Sequence, residues 1–127
     1  MDMGVLCANE DLYFGHWKNN LREGNGEMKK KNGDKYKGDW KEDHFHGFGK
    51  YTWKHGAEYE GSYLQGKRDG YGTMKYVDGD IYNSGWKNDK REGQGTLKLK
   101  NGDTLEGSWV NDLIQPVVKV KYSKRLI

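Results

Sequence analysis

Between residues 36 and 54 the chain reads YKGDWKEDHFHGFGKYTWK, with large rings, glycines and charged side chains taking turns. Tyr36, Gly38 and Trp40 stand at every second position with Lys37, Asp39 and Lys41 between them. That alternation predicts a short strand carrying both rings on one face and the charges on the other. A second strand begins at the glycine pair: Gly47, Gly49, Tyr51 and Trp53 face one way, Phe48, Lys50, Thr52 and Lys54 the other. A helix is excluded, because each glycine inside it would cost about 1 kcal/mol.

The pattern recurs. Trp17, Trp40, Tyr63, Trp86 and Trp109 are 23 residues apart, as are Tyr13, Tyr36, Tyr59 and Tyr82. Glycine pairs (Gly24 with Gly26, Gly47 with Gly49, Gly70 with Gly72, Gly93 with Gly95) and single glycines (Gly33, Gly56, Gly79, Gly102) follow in phase. Such a period marks a repeat array. It divides residues 1–127, read as a single domain, into a partial N-terminal cap (1–12), four full copies (13–35, 36–58, 59–81 and 82–104), and a partial copy with a C-terminal cap (105–127).

Asn32-Gly33, His55-Gly56, Asp78-Gly79 and Asn101-Gly102 read as hairpin turns between copies, since glycine accepts positive φ. A two-residue loop at Asn32-Gly33 puts Tyr36 on the face opposite the glycines. A three-residue loop, Lys31 to Gly33, instead pairs Met28 with Tyr36, Gly26 with Gly38 and Gly24 with Trp40. The second register is expected, because it lays every ring over bare backbone across the ladder. The predicted fold is therefore all-β: an elongated single-layer antiparallel β-meander of successive hairpins.

The copies are not identical. Ser84 stands where Gly15, Gly38, Gly61 and Gly107 stand elsewhere, so the floor of the fourth copy is expected to differ. Tyr63 replaces tryptophan, Leu105 replaces tyrosine, and Pro116 with Val118 replaces a glycine pair. Val117 to Tyr122 is expected to form a closing strand over the last ring, with Val118, Val120 and Tyr122 on one face. Met1, Met3, Val5 and Cys7 fall in phase with the glycine strand and are expected to cap the other end.

Composition sharpens this picture. Only 33% of residues are hydrophobic and 32% are charged, too little for an ordinary two-layer core, yet 13% are aromatic. A thin fold that buries a few large rings reconciles the two. The net charge of +3 is the difference between 22 basic and 19 acidic side chains, so strong nonspecific nucleic-acid binding is not implied. One cysteine excludes an internal disulfide framework and fits a reducing compartment. No run reaches the roughly 20 apolar residues that span a bilayer, and MDMGVLCANEDL lacks the layout of a signal peptide. The expectation is a soluble cytoplasmic protein.

Candidate chemistry is sparse. Gly61 to Arg68 approaches a P-loop, but Arg68 replaces the serine or threonine that would hold magnesium, and no strand-to-helix context follows. His44 and His46 read as a solvated loop tip, Cys7 as a small hydrophobe, and Asp34, Asp80 and Asp103 as carboxylates capping turn backbone. No catalytic, metal or cofactor site is expected. Two surfaces remain: the rings Tyr13, Trp17, Tyr36, Trp40, Tyr59, Tyr63, Tyr82, Trp86 and Trp109 as a partner-binding groove, and basic loop tips at Arg22, Lys67, Arg68, Lys90 and Arg91 as an anionic-lipid contact.

Tyr-x-Gly-x-Trp, a short polar loop and then Gly-x-Gly, repeated at this period, resembles the MORN repeat (membrane occupation and recognition nexus) over essentially the whole chain. The resemblance implies a twisted rod of hairpins with a groove, about 50 Å long at two strands per copy. It also implies a non-catalytic scaffold that takes an apolar helix or extended peptide from another protein in a cytoskeletal or ciliary, axonemal, assembly. The alternative is attachment to an anionic or phosphoinositide membrane; a third reading has the repeats targeting an enzyme on a separate chain. Unpaired backbone at a terminal hairpin makes a homodimer a further expectation.

Overall fold

The computed structural model describes residues 2–8 and 10–123, with side chains from residue 10 onward. Its strands are β1 (Asp2–Ala8), β2 (Asp11–Lys18), β3 (Leu21–Lys29), β4 (Lys35–Lys41), β5 (His44–Thr52), β6 (Glu58–Leu64), β7 (Lys67–Lys75), β8 (Ile81–Lys87), β9 (Lys90–Lys98), β10 (Thr104–Val110), β11 (Leu113–Ile114) and β12 (Lys119–Lys121). Each strand from β1 to β10 pairs antiparallel with the next in sequence, and β11 and β12 share the far edge of β10. The sheet is open, and the described residues contain no helix.

Between copies the expected register holds: Met28 pairs with Tyr36, Gly26 with Gly38 and Gly24 with Trp40. The loop closes through Lys30 N–H to the Asp34 carbonyl (2.8 Å) and Gly33 N–H to the Lys30 carbonyl (2.9 Å), with Gly33 at φ +100°. Asp11, Asp34, Asp80 and Asp103 tie one such loop to the next by accepting the N–H of Lys31, Lys54, Lys100 and Ser123 at 2.8–2.9 Å. The carboxylates thus cap turn backbone one copy along. The second copy has Ala57 at this position.

Within copies the connection is tighter than the sequence suggests. Asn19-Asn20, Glu42-Asp43, Gln65-Gly66, Asn88-Asp89 and Asn111-Asp112 each have two successive positive φ values, the backbone of a type I′ turn. The second strand of each copy therefore starts early, and His44 and His46 lie in β5 and not on a loop tip. The extra length is absorbed by a bulge. Gly38 faces Gly49 and Trp40 faces Phe45, so Asp39 alone spans what His46, Gly47 and Phe48 span opposite. Gly47 makes the bend at φ +63°, and Gly24, Gly70 and Gly93 do likewise. The first glycine of each pair turns the strand, whereas the second leaves the floor bare.

The ends depart from expectation. Met1 lies outside the described residues, and the rest of the N-terminal strand is one residue out of the predicted phase: Gly4 faces Gly15 and Leu6 faces Tyr13. Gly4 and Gly15 are 11 positions apart where Gly26 and Gly38 are 12, because the first hairpin has the shorter connection. At the other end Pro116, which has no N–H for the ladder, splits the closing strand in two. Ile114 stands opposite the buried Trp109, and only Lys119–Lys121 pair further along, with Val120 against Leu105. Val117 and Tyr122 are exposed.

Candidate protein-binding face

Each copy builds its share of one face around a tyrosine. Tyr36 lies over Gly49, where a Cβ would run into its ring and hydroxyl; Tyr13 covers Gly26, Tyr59 covers Gly72 and Tyr82 covers Gly95 in the same way. The phenol then donates to a carbonyl three residues on: Tyr13 to His16 (2.9 Å), Tyr36 to Asp39 (2.8 Å), Tyr59 to Ser62 (2.9 Å) and Tyr82 to Gly85 (3.0 Å). The buried polar end of each ring is satisfied. In the fourth copy Tyr82 stands further back from its glycine than the others do, and the Ser84 hydroxyl donates to the Gln94 carbonyl. The altered floor expected from Ser84 is there.

The rings interlock edge to face. Trp17, Tyr13, Trp40, Tyr36, Tyr63, Tyr59, Trp86, Tyr82 and Trp109 form one unbroken sequence of T-shaped contacts with centroids 5.1–5.5 Å apart. Tyr13, Tyr36, Tyr59 and Tyr82 each sit between the ring of their own copy and the ring of the next. Such pairs contribute about 0.5–1.5 kcal/mol each beyond area burial, so the series is the core of a one-layer fold. Trp40 and Trp86 Nε1 also donate to the Gly26 and Gly72 carbonyls, at 3.1 and 3.3 Å.

A third side chain closes each unit. Arg22 places its guanidinium 4.5 Å from the Trp40 ring, Arg68 4.6 Å from Trp86, and Arg91 5.8 Å from Tyr82. Each is held by the aspartate that ends the next type I′ turn: Asp43, Asp89 and Asp112 accept from Nε at 2.8, 3.0 and 3.1 Å. The second copy is the exception. Phe45 takes the arginine position and stacks on Tyr36 at 3.9 Å, while Gly66 takes the aspartate position. The backbone bond survives, Gly66 N–H to Phe45 carbonyl at 2.9 Å against 3.0 Å in the other three, so the two side chains change as a pair.

These positions correct both candidate surfaces. Tyr13, Tyr36, Tyr59 and Tyr82 are at most 1% exposed, and Trp40, Tyr63, Trp86 and Trp109 are buried, so they form the floor of the face and offer a partner little contact. Only Trp17 of the predicted groove is half-buried. Phe45, Trp53, Tyr76 and Leu97 are also half-buried and pack against these rings, and an open hollow of about 290 Å³ lies between Arg22 and Phe45. The alternation put Trp53 on this face; nothing distinguished it from the buried rings. Of the basic set, Lys67 and Lys90 are exposed, whereas Arg22, Arg68 and Arg91 lie across rings and are bound to carboxylates. Among the described residues no cluster of His, Cys, Asp and Glu is placed to hold a metal ion.

Electrostatics follow from burial. Desolvation pushes the Tyr36, Tyr59 and Tyr63 phenols well above the ordinary range, and raises Tyr82 to about 12 despite the opposing charge of Arg91. The unfolded phenol ionises near pH 10. Folded-state values above it mean that these groups stabilise fully below about pH 10 and lose that contribution as pH rises towards the folded values. Tyrosinate absorbance in alkali is therefore expected to include a cooperative step coincident with loss of near-ultraviolet circular dichroism; independent titration of every tyrosine in a still-folded chain would contradict the packing. On the acid side, burial raises the Asp43 carboxyl, but the hydrogen bonds and charge of Arg22 outweigh it and hold it below the usual range.

The family model of the MORN repeat matches residues 13–35, 36–57, 59–81 and 82–104. The chain belongs to the MORN-repeat family. No match was found among curated proteins. The MORN repeats here coincide with the four full copies, and their Tyr-x-Gly-x-Trp and Gly-x-Gly signatures are the ring, floor and bend of the unit described above. MORN repeats are commonly protein- or membrane-binding modules.

Proposed function

We propose that this MORN array is a non-catalytic scaffold whose ring face receives an apolar helix or extended peptide of another protein, as a structural component of a cytoskeletal or ciliary (axonemal) assembly in the cytoplasm. One observation carries the reading: five half-buried apolar side chains, Trp17, Phe45, Trp53, Tyr76 and Leu97, pack against a floor of buried rings. Aromatic anchors already fixed in place offer large contact area at little entropic cost, the usual make-up of a binding hot spot. Trp53 is held between Tyr51 at 4.7 Å and a stacked His55 at 6.3 Å, and the Arg68 guanidinium lies 5.8 Å from it.

The test is a variant that spares the floor. Trp53→Ser with Tyr76→Ser removes half-buried rings and leaves the tyrosine series intact, so the chain is expected to keep its cooperative urea unfolding and its far-ultraviolet β-sheet circular dichroism. Pull-downs from ciliated-cell lysate should then lose cytoskeletal partners that the native chain retains; the same partner set with both proteins would sink the reading.

Membrane attachment is the second reading, favoured by Lys87 and Lys90 facing each other across a turn with Lys67 one copy away. Each lysine near an anionic surface contributes about 1 kcal/mol. Sedimentation with anionic vesicles should be abolished by reversing Lys67, Lys87 and Lys90 to glutamate. The arginines are left alone because they hold rings. If the native chain stays in the supernatant at physiological salt, lipid attachment is ruled out.

A further inference from the structure

On the face opposite the rings, the middle of the hairpin in the second and third copies carries one side chain that fills the bulge. In the second copy it is Asp39, which accepts from Asn25 Nδ2 at 2.8 Å and Phe48 N–H at 3.2 Å and covers Gly47. In the third it is Ser62, which covers Gly70. In the fourth the order Gly-Ser becomes Ser84-Gly85, and the filler is gone. A Cβ on Gly93 would meet nothing within 4 Å, whereas Gly85 is drawn so close to the Glu92 carbonyl that it has no room for one. The result is an open hollow of about 600 Å³. Tyr71, paired with Gly85 across the strands, stands 78% exposed at its margin.

The lining decides what fits. Asp69 and Glu92 border the hollow against a single ammonium, Lys87. Among the described residues each carboxylate is used through one oxygen, Asp69 Oδ2 from Asn88 N–H at 3.4 Å and Glu92 Oε1 from Asn111 N–H at 3.1 Å. An exposed ring bordering the same hollow as two carboxylates favours a planar cation, which stacks on the ring while its N–H groups reach the acids. The other face of this chain already shows that arrangement: the Arg68 guanidinium lies 4.6 Å from Trp86 with Asp89 at 3.0 Å. We propose that the Gly85 hollow binds an arginine side chain presented by a basic segment of a partner protein. This site is on the face away from the half-buried ring row and is independent of it.

The experiment titrates the full native chain with a short, blocked glycine-serine peptide carrying two arginines, read by backbone amide chemical shifts. Shifts centred on Tyr71, Gly85 and Gly93 are expected. The same peptide with citrulline, which keeps the shape and loses the charge, should give none. Asp69→Asn with Glu92→Gln keeps both turn acceptors and should weaken binding about tenfold, and Tyr71→Thr should do the same. Exchanging the pair, Ser84→Gly with Gly85→Ser, restores the order of the other copies and should abolish binding; if that variant fails to fold, the carboxylate variant still decides. Equal response to citrulline, a preference for a glutamate peptide, shifts confined to the ring face, or no shift at all would each overturn the proposal. Because Trp53→Ser with Tyr76→Ser leaves this hollow untouched, it should bind the arginine peptide as the native chain does, which separates failure here from failure of the scaffold reading.

Discussion

Tyr59→Ala is expected to destabilise the array by about 3–5 kcal/mol, near the top of the range for removing a buried aromatic ring. Tyr59 is fully buried between Tyr63 and Trp86, at 5.2 and 5.4 Å, and its hydroxyl bonds to the Ser62 carbonyl. Gly72→Ala should cost about 1–3 kcal/mol for the opposite reason, because the new methyl has to share space with that same ring. The two are therefore coupled. Tyr59→Leu shortens the side chain over Gly72, and in its presence Gly72→Ala should become markedly less harmful. Urea unfolding of the native chain, both single variants and the double variant gives the coupling. Additive losses would mean that ring and glycine do not share one space.

Arg68→Ala is expected to lower stability by about 1–2 kcal/mol, through lost packing on Trp86 and Tyr59 as much as through lost charge. The partner Asp89 is nearly half exposed, so solvent screens the pair and its Coulomb energy is a small part of the effect. The second copy supplies the control. Arg68→Phe together with Asp89→Gly reproduces Phe45 and Gly66, and should recover most of the stability that Arg68→Ala loses. Thermal unfolding decides it: a double variant no better than Arg68→Ala would show that the Phe45 slot depends on surroundings peculiar to the second copy.

Most of the fold could be read in the sequence because one period governs rings, glycines and turns together. Tyr36, Gly38 and Trp40 set the strand, Asn32-Gly33 marks the turn, and of the two loop lengths it allows only one puts rings over glycines, which is the register of the structure. The parts that could not be read lack that redundancy. The type I′ turns are built from Glu42-Asp43 and Gln65-Gly66 as well as from Asn-Asn and Asn-Asp, so no single dipeptide marks them or the extra strand length behind them. Arg22, Arg68 and Arg91 look like solvated tips in a polar stretch, since simple alternation says nothing about a guanidinium lying flat on an indole. The clue was present in the spacing: arginine and aspartate 21 residues apart at 22 and 43, 68 and 89, 91 and 112, with phenylalanine and glycine at 45 and 66.

Exposure of the rings was the other blind spot. Alternation assigns Tyr36 and Trp53 to the same face, but only the coordinates show that Tyr36 is fully buried among its neighbours and Trp53 half-buried against them. At the ends the period itself stops, and there the reading failed by one residue at Gly4 and by a proline at Pro116.

The arginine-to-aspartate tie crosses the boundary at which the copies are conventionally cut. Excising residues 36–58 would leave Arg22 facing Gly66, a cation stripped of its counter-charge, whereas excising 44–66, also 23 residues, keeps Arg22 with Asp43 and Arg68 with Asp89 and takes out the phenylalanine and its glycine together. The module that can be duplicated or lost without injury thus runs from one tight turn to the next, so lengthening or shortening such a chain by genetic exchange is least damaging with breakpoints just after the turn aspartates.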